Sequence, residues 1–202
     1  MKVLHVDASI LGESSVSRQL SSAIVERLRQ AHPDIAVTYY DLGAEPIGHL
    51  TGAHLAAAGG ASAENPSLQR DVARGRQALE DFLGADIVVV GAPMYNFSVS
   101  SQLKAWIDRL AVAGKTFRYS KDGVQGLAGG KKVIVASSRG GFYGPDRPTA
   151  FLDHQETYLR GIFGFFGISD VTFIRAEGLN VSADQHQASV AAATAEAARI
   201  AA

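Results

Sequence analysis

Three stretches of the 202-residue chain combine residue types that could hold a ligand. The first runs from Asp7 through Ser9, Gly12, Ser15, Val16 and Ser17 to Arg18, and leads into a segment of helical period that begins near Ser17. A helix start presents unpaired N–H groups and partial positive charge; Ser9, Ser15 and Ser17 add hydroxyls, a donor set suited to the oxygens of a phosphate monoester. A helix cap alone would use the same serines, and the stretch by itself does not separate the two readings. Neither G-x-G-x-x-G nor G-x-x-x-x-G-K-[ST] occurs, which argues against a dinucleotide pyrophosphate and a P-loop triphosphate. The second stretch, Ala92-Pro93-Met94-Tyr95-Asn96-Phe97-Ser98-Val99-Ser100-Ser101, sets apolar and aromatic groups on a loop. Water opposes that placement, whereas a flat heteroaromatic ligand could lie along such a backbone and meet its N–H groups and the Asn96 amide; a buried turn beneath a helix is the competing reading. In the third, Ser137-Ser138-Arg139-Gly140-Gly141-Phe142-Tyr143, paired glycines let the backbone approach a ligand closely.

These stretches need elements to position them. Apolar runs at Lys2–Asp7, Asp86–Gly91, Lys131–Ser137 and Val171–Ala176, with a polar-interrupted run at Ala36–Leu42, read as strands. The continuous rather than alternating pattern of Ile87–Val90 and Val133–Val135 fits a parallel sheet covered on both faces. Between them lie helical periods: Leu20, Ile24 and Leu28, closed by Pro33; Leu68–Leu83; and Leu103, Ile107 and Leu110 with Trp106. Ser182 with Gln185 reads as a capping box before a last helix that turns Val190, Ala193, Ala197 and Ile200 inward. The alternation predicts an α/β, doubly wound, five-stranded parallel sheet with helices on both faces, forming one domain over 1–202. Ligands of such sheets bind at the carboxyl ends of strands near the switch point, where the three stretches fall. The Ala/Gly-rich stretch Gly43–Pro66, with His49 and His54, reads as a surface excursion, either a loose connection or a flap near the site.

Composition narrows the function. With no cysteine, disulfides, thiolate metal sites, Fe–S clusters and thiol catalysis are excluded. Nineteen basic against 20 acidic residues give a net charge of −1 and no general reason to bind nucleic acid or anionic lipid. The start MKVLHVDAS lacks a signal-peptide pattern and no apolar run approaches a membrane span, so a soluble, cytoplasmic protein is expected. A Ser-His-Asp hydrolase is disfavoured because G-x-S-x-G is absent, and none of the six histidines has a catalytic or metal-ligating spacing.

The combination of Ser15-Val16-Ser17-Arg18, Ala92-Pro93-Met94-Tyr95-Asn96-Phe97 with Gln102-Leu103-Lys104, and Ser138-Arg139-Gly140-Gly141 resembles the bacterial FMN-dependent NADH azoreductases, flavodoxin-like enzymes that are also NADH:quinone oxidoreductases. The resemblance extends through Thr116-Phe117-Arg118-Tyr119, Gly129-Lys131-Lys132 and Gly164-Phe165-Phe166-Gly167-Ile168. It implies a tightly bound, non-covalent FMN whose phosphate is held by Ser9, Ser15, Val16 (backbone only) and Ser17. Pro93, Met94, Tyr95, Asn96 and Phe97 then wrap the ring, while Ser138, Arg139, Gly140 and Gly141 meet its pyrimidine side. It further implies a homodimer in which Tyr119 and Phe165 of a partner wall the site; the residues alone do not choose among Phe163, Phe165 and Phe166. Tyr143 stands where some members have histidine near the ring. The expected activity is two-electron ping-pong transfer from NADH to quinones or azo compounds, with the chemistry on FMN and no catalytic side chain required. The competing reading, a flavodoxin-type electron carrier, is opposed by the near-neutral charge. Arg139 and Lys104 read as surface charges rather than a clamp for a 2′-phosphate.

Overall fold

The computed structural model describes residues 1–61, 65–121 and 123–200. Strands β1 (Lys2–Asp7), β2 (Ala36–Asp41), β3 (Ile87–Pro93), β6 (Lys132–Ser138) and β7 (Asp170–Ala176) form a five-stranded sheet in the order β2-β1-β3-β6-β7, with every pairing parallel. The chain leaves β1 for β2 on one side and returns for β3 on the other, which places the switch point between β1 and β3.

Helices cover both faces, and this accounts for the unbroken apolar runs. On β3, Val88 and Val90 pack with Ala78 and Phe82 of α3 (Pro66–Gly84), Leu103, Trp106 and Ile107 of α4 (Ser101–Leu110), and Leu159 and Phe163 of α5 (His154–Phe165). Its alternate residues Ile87 and Val89 pack with Leu20, Ile24 and Leu28 of α1 (Val16–Ala31) and Ala193 and Ala197 of α6 (Ala183–Ala197). The i, i+4 stripe of α1 is buried, each such side chain contributing about 1.5–3 kcal/mol on leaving water. Asn65 caps α3 by accepting the Leu68 N–H at 2.9 Å, with Pro66 preset for the first turn. At α6, Ser182 accepts the Gln185 N–H, but the Gln185 side chain reaches Ser189 instead of returning to the cap, so only half of the expected capping box forms.

Two elements go beyond the predicted alternation. Strands β4 (Phe117–Ser120) and β5 (Gly123–Gly126) form an antiparallel hairpin. It sits tightly on the end of α5, since a Cβ on Gly126 would lie 2.1 Å from the Gly167 nitrogen. Within the excursion, residues 52–58 form the short helix α2 (Gly52–Ala58); residues 62–64 of that stretch lie outside the described residues. Its described residues Gly48 and His54 are anchored to α3: His54 Nε2 lies 2.7 Å from Asp71 Oδ2, and the Asp71 carboxylate also accepts the Gly48 N–H and the Arg109 guanidinium, both at 2.9 Å. Burial opposes ionisation of Asp71, but these donors outweigh it and hold its pKa below the usual carboxylate range. Among the described residues no helix is long and apolar enough to cross a membrane.

Candidate functional site

Parallel register brings the three predicted stretches side by side. Asp7 pairs with Gly91 and Pro93 with Ser138, and the ladder runs on through Ala8 N–H to Gly91 O at 3.0 Å and Met94 N–H to Ser138 O at 2.8 Å. The loops after β1, β3 and β6 therefore share one edge of the sheet, beside the switch point.

At the β1 end, Ser15 is the cap of α1: its Oγ accepts the Arg18 N–H at 3.3 Å and lies 3.0 Å from Ser17 Oγ. Capping accounts for Ser15 but not for Ser9 or Ser17, which are as deeply buried. Ser9 Oγ accepts the Leu11 N–H at 3.2 Å and meets the Tyr95 hydroxyl, also at 3.2 Å, so the first and second loops are clasped together. Among the described residues the N–H groups of Val16 and Ser17 find no acceptor, as expected in a first helical turn. A Cβ on Gly43 would lie 2.3 Å from the Ser9 carbonyl oxygen, so the chain after β2 closes directly on this loop.

Beneath it lies a polar cluster, buried at His5, Asp7 and Ser21, that the sequence does not reveal. Ser21 donates to Asp7 Oδ1 at 2.6 Å, Tyr39 donates to Asp7 Oδ2 at 3.1 Å, and His5 Nε2 lies 2.9 Å from Ser21 Oγ. Arg18 grips Asp41 bidentately at 2.7 and 3.0 Å, and Asp41 also accepts the N–H groups of Gly43 and Ala44. The Arg18 hydrogen bond leads in holding the Asp41 carboxyl below its usual range, while burial followed by the charge of Asp7 pushes the Tyr39 hydroxyl up. Asp7 and Arg18 bound the first stretch; their partners Tyr39 and Asp41 come from β2, whose composition carries no signal of them.

The second loop folds as a two-residue turn. Tyr95 and Ser98 exchange both backbone hydrogen bonds, at 2.9 and 3.1 Å, and the two central residues have positive φ, 49° at Asn96 and 71° at Phe97. This is the pattern of a type I′ turn, which suits asparagine but strains a phenylalanine by about 1–3 kcal/mol. Phe97, 40% exposed, meets Tyr143 edge-on at 5.9 Å, which brings Tyr143 against the second loop. Among the described residues the Asn96 side chain has no hydrogen-bond partner and is exposed.

The third loop overturns one expectation. Arg139 is not a surface charge but is 1% exposed, ion-paired with Asp153 and Glu177 at 3.0 Å each and with Glu156. Its N–H and carbonyl are also taken, by Ala176 and Leu179. A ligand at this edge would meet neither its side chain nor its amide. Three carboxylates drawn from α5 and the end of β7 stabilise the guanidinium at depth, which is why it turns inward. Ser138 is buried, and the amides of Gly140 and Gly141 have no acceptor among the described residues. Lys104 pairs with Asp108 at 2.6 Å on the surface of α4, as a solvated charge would.

Tyr119 and Phe165 fall elsewhere. They flank Phe117 at 5.5 and 4.6 Å, at the end of α5 remote from the three loops, and Tyr119 is 73% exposed. Phe163 and Phe166 are core residues, whereas Phe165 is only half-buried.

A family model described as flavodoxin-like fold matches residues 1–200. A protein of Sinorhizobium medicae (strain WSM419) named FMN-dependent NADH:quinone oxidoreductase is 62% identical over 193 residues, which is 96% of this chain and 93% of that protein. The crystal structure of an azoreductase from Bacillus anthracis str. Sterne superposes with a TM-score of 0.86 at 32% identity, over 98% of this chain and 97% of that one. An FMN-dependent NADH-azoreductase from Bacillus anthracis str. Ames Ancestor, solved in complex with FMN, superposes with a TM-score of 0.85 at 25% identity, over 100% of this chain and 99% of that one.

Proposed function

The chain belongs to the family of the flavodoxin-like fold, and from that premise we propose that it is an FMN-dependent NADH:quinone oxidoreductase that also reduces azo compounds. The observation that carries the reading is the donor set along one sheet edge. At one end the start of α1 offers the amides of Val16 and Ser17, unpaired among the described residues, with the buried hydroxyls of Ser9, Ser15 and Ser17. Farther along lie the Tyr95–Ser98 turn and the amides of Gly140 and Gly141, which have no acceptor among the described residues. A phosphate monoester fits the first and a planar heteroaromatic ring the second, so the residues present fit FMN.

In this assignment Ser9, Ser15, Ser17 and the backbone of Val16 hold the phosphate. Pro93, Met94, Tyr95, Asn96 and Phe97 line the ring, and Ser138, Gly140 and Gly141 supply contacts at its pyrimidine edge. Arg139 acts from below as a structural ion. When bound, FMN supplies two-electron redox chemistry, by which NADH is oxidised and a quinone or azo compound is then reduced at the same open face in ping-pong order. The protein contributes binding, orientation and electrostatics: amides aimed at the pyrimidine edge stabilise negative charge there without needing to reorganise. Phe97 and Tyr143, packed edge to face, offer an aromatic wall on that side.

The homodimer belongs to the same proposal. Tyr119, Val124 and Leu127 leave an exposed apolar hairpin that a second copy of the chain would cover, bringing Tyr119 and Phe165 to the partner's site. Action in the cytoplasm is likewise proposed. The test is steady-state NADH oxidation at several quinone concentrations. Parallel double-reciprocal lines support the ping-pong order and intersecting lines oppose it; sedimentation of the same sample reports the dimer.

A further inference from the structure

Helix α5, which the proposed chemistry does not use, holds the second loop through its first turn, at the end of β3 and at the tip of the Tyr95–Ser98 turn. Gln155 is buried in that turn, with no exposed surface. Its Nε2 donates to the carbonyl of Ala92, the next-to-last residue of β3, at 2.9 Å. At the tip of the turn, the Phe97 carbonyl accepts the His154 N–H at 3.1 Å, from the residue next to Gln155. The other end of the Gln155 amide points to the third loop: Oε1 accepts from Ser137 Oγ at 3.0 Å, and Ser137 Oγ accepts from Arg139 Nε at 3.1 Å. Arg139 is then fixed by Asp153, Glu156 and Glu177, and Glu156 by a bidentate pair with Arg175. A buried run of polar contacts thus crosses beneath the carboxyl ends of β3 and β6 and joins both ring-side loops to one helix.

The run has a reason to exist. The Tyr95–Ser98 turn carries positive φ at a phenylalanine and persists only where its surroundings over-determine it. Ladder bonds from Met94 to Ser138 fix one side of the turn and the Tyr95 hydroxyl ties it to Ser9 and the Ile10 N–H of the first loop; Gln155 and the His154 N–H add the hold toward the third loop. An amide is the side chain that can serve both ends, because it donates to a carbonyl and accepts from a hydroxyl at once.

We infer that Gln155 is a positioning residue, which sets the second and third loops in the relative placement that a flavin ring requires; this rests on the proposed FMN reading. Gln155→Met keeps the volume and removes both hydrogen bonds, leaving the Ala92 carbonyl and the Ser137 hydroxyl buried without their partner. FMN and riboflavin should both bind about tenfold more weakly, by the same factor, because the defect lies on the ring side and not at the phosphate. In flavin-free protein the amides of Met94, Tyr95 and Ser98 should exchange hydrogen faster than in wild type, and the visible circular dichroism of added flavin should change. Ser137→Ala, a smaller change, should move the same readouts in the same direction and decides the matter if Gln155→Met fails to fold. Flavin affinities within twofold of wild type, even with a lowered melting temperature, would overturn the inference, as would a loss confined to FMN. Wild-type protein that takes up neither flavin would instead sink the FMN reading, and loop exchange in flavin-free protein would still report whether Gln155 holds the loops.

Discussion

Replacing Phe97 by glycine and, separately, by alanine isolates the strain in the second loop. Both variants delete the ring and its 5.9 Å edge contact with Tyr143, so those losses cancel in a comparison of the two. What differs is the backbone at φ 71°. Left-handed geometry costs a residue with a Cβ about 1–2 kcal/mol and glycine almost nothing. Against this, the unfolded glycine variant has more freedom to lose, worth about 0.4–1 kcal/mol in alanine's favour. The difference leaves Phe97→Gly more stable than Phe97→Ala by about 0.8 kcal/mol, the reverse of the order at an ordinary extended or helical position. Urea unfolding of the two flavin-free proteins measures it through a shift in midpoint at constant slope. Both variants should bind FMN more weakly than wild type, since each lacks the aromatic wall. An alanine variant as stable as the glycine variant, or more so, would refute the strained turn.

Other perturbations probe separate parts of the site. Ser17→Ala should weaken FMN by about tenfold or more, in line with about 1.5–3 kcal/mol for a hydrogen bond to a charged group, while leaving riboflavin unchanged by calorimetry; equal effects on both flavins would place Ser17 away from the phosphate. Asn96→Ala should weaken FMN retention or slow flavin reduction in stopped-flow traces, and no change in either would remove Asn96 from the ring contacts. Arg139→Met leaves three carboxylates facing one another at depth, and a loss of about 3–5 kcal/mol in urea unfolding is expected. The Asp41 pKa is depressed by Arg18, so its contribution to stability is complete above the ordinary carboxylate range and is lost as pH falls through the depressed value. Arg18→Met should therefore flatten the acid limb of the unfolding midpoint against pH; an unaltered limb would mean that the pair carries no such linkage.

The sheet could be read from the sequence because burial on both faces leaves a plain mark: Ile87–Val90 and Val133–Val135 have no polar face to show. The second loop stood out for a similar reason, as apolar residues that a solvated loop would not choose, whereas the serines of the first read equally as a helix cap, which Ser15 in fact is. The hairpin β4–β5 left no mark. Its strands are four residues each, mostly exposed, and they are held through the approach of Gly126 to Gly167, a contact distant in sequence. The I′ turn was hidden because phenylalanine stands where glycine normally signals it. Arg139 was misjudged because no local spacing announces its acids; Glu177 is 38 residues away, and only the fold brings it to the guanidinium. Gln155 was invisible for the same reason, its partners lying on β3 and β6.

The most direct test of the account is an FMN titration of the purified, flavin-stripped chain, followed by anaerobic addition of NADH and then of a quinone. The account predicts uptake of about one FMN per chain, bleaching of the flavin absorbance by NADH, and return of the oxidised spectrum with quinone. A chain that stays colourless after excess FMN is removed, or a bound flavin that NADH does not bleach, would contradict it.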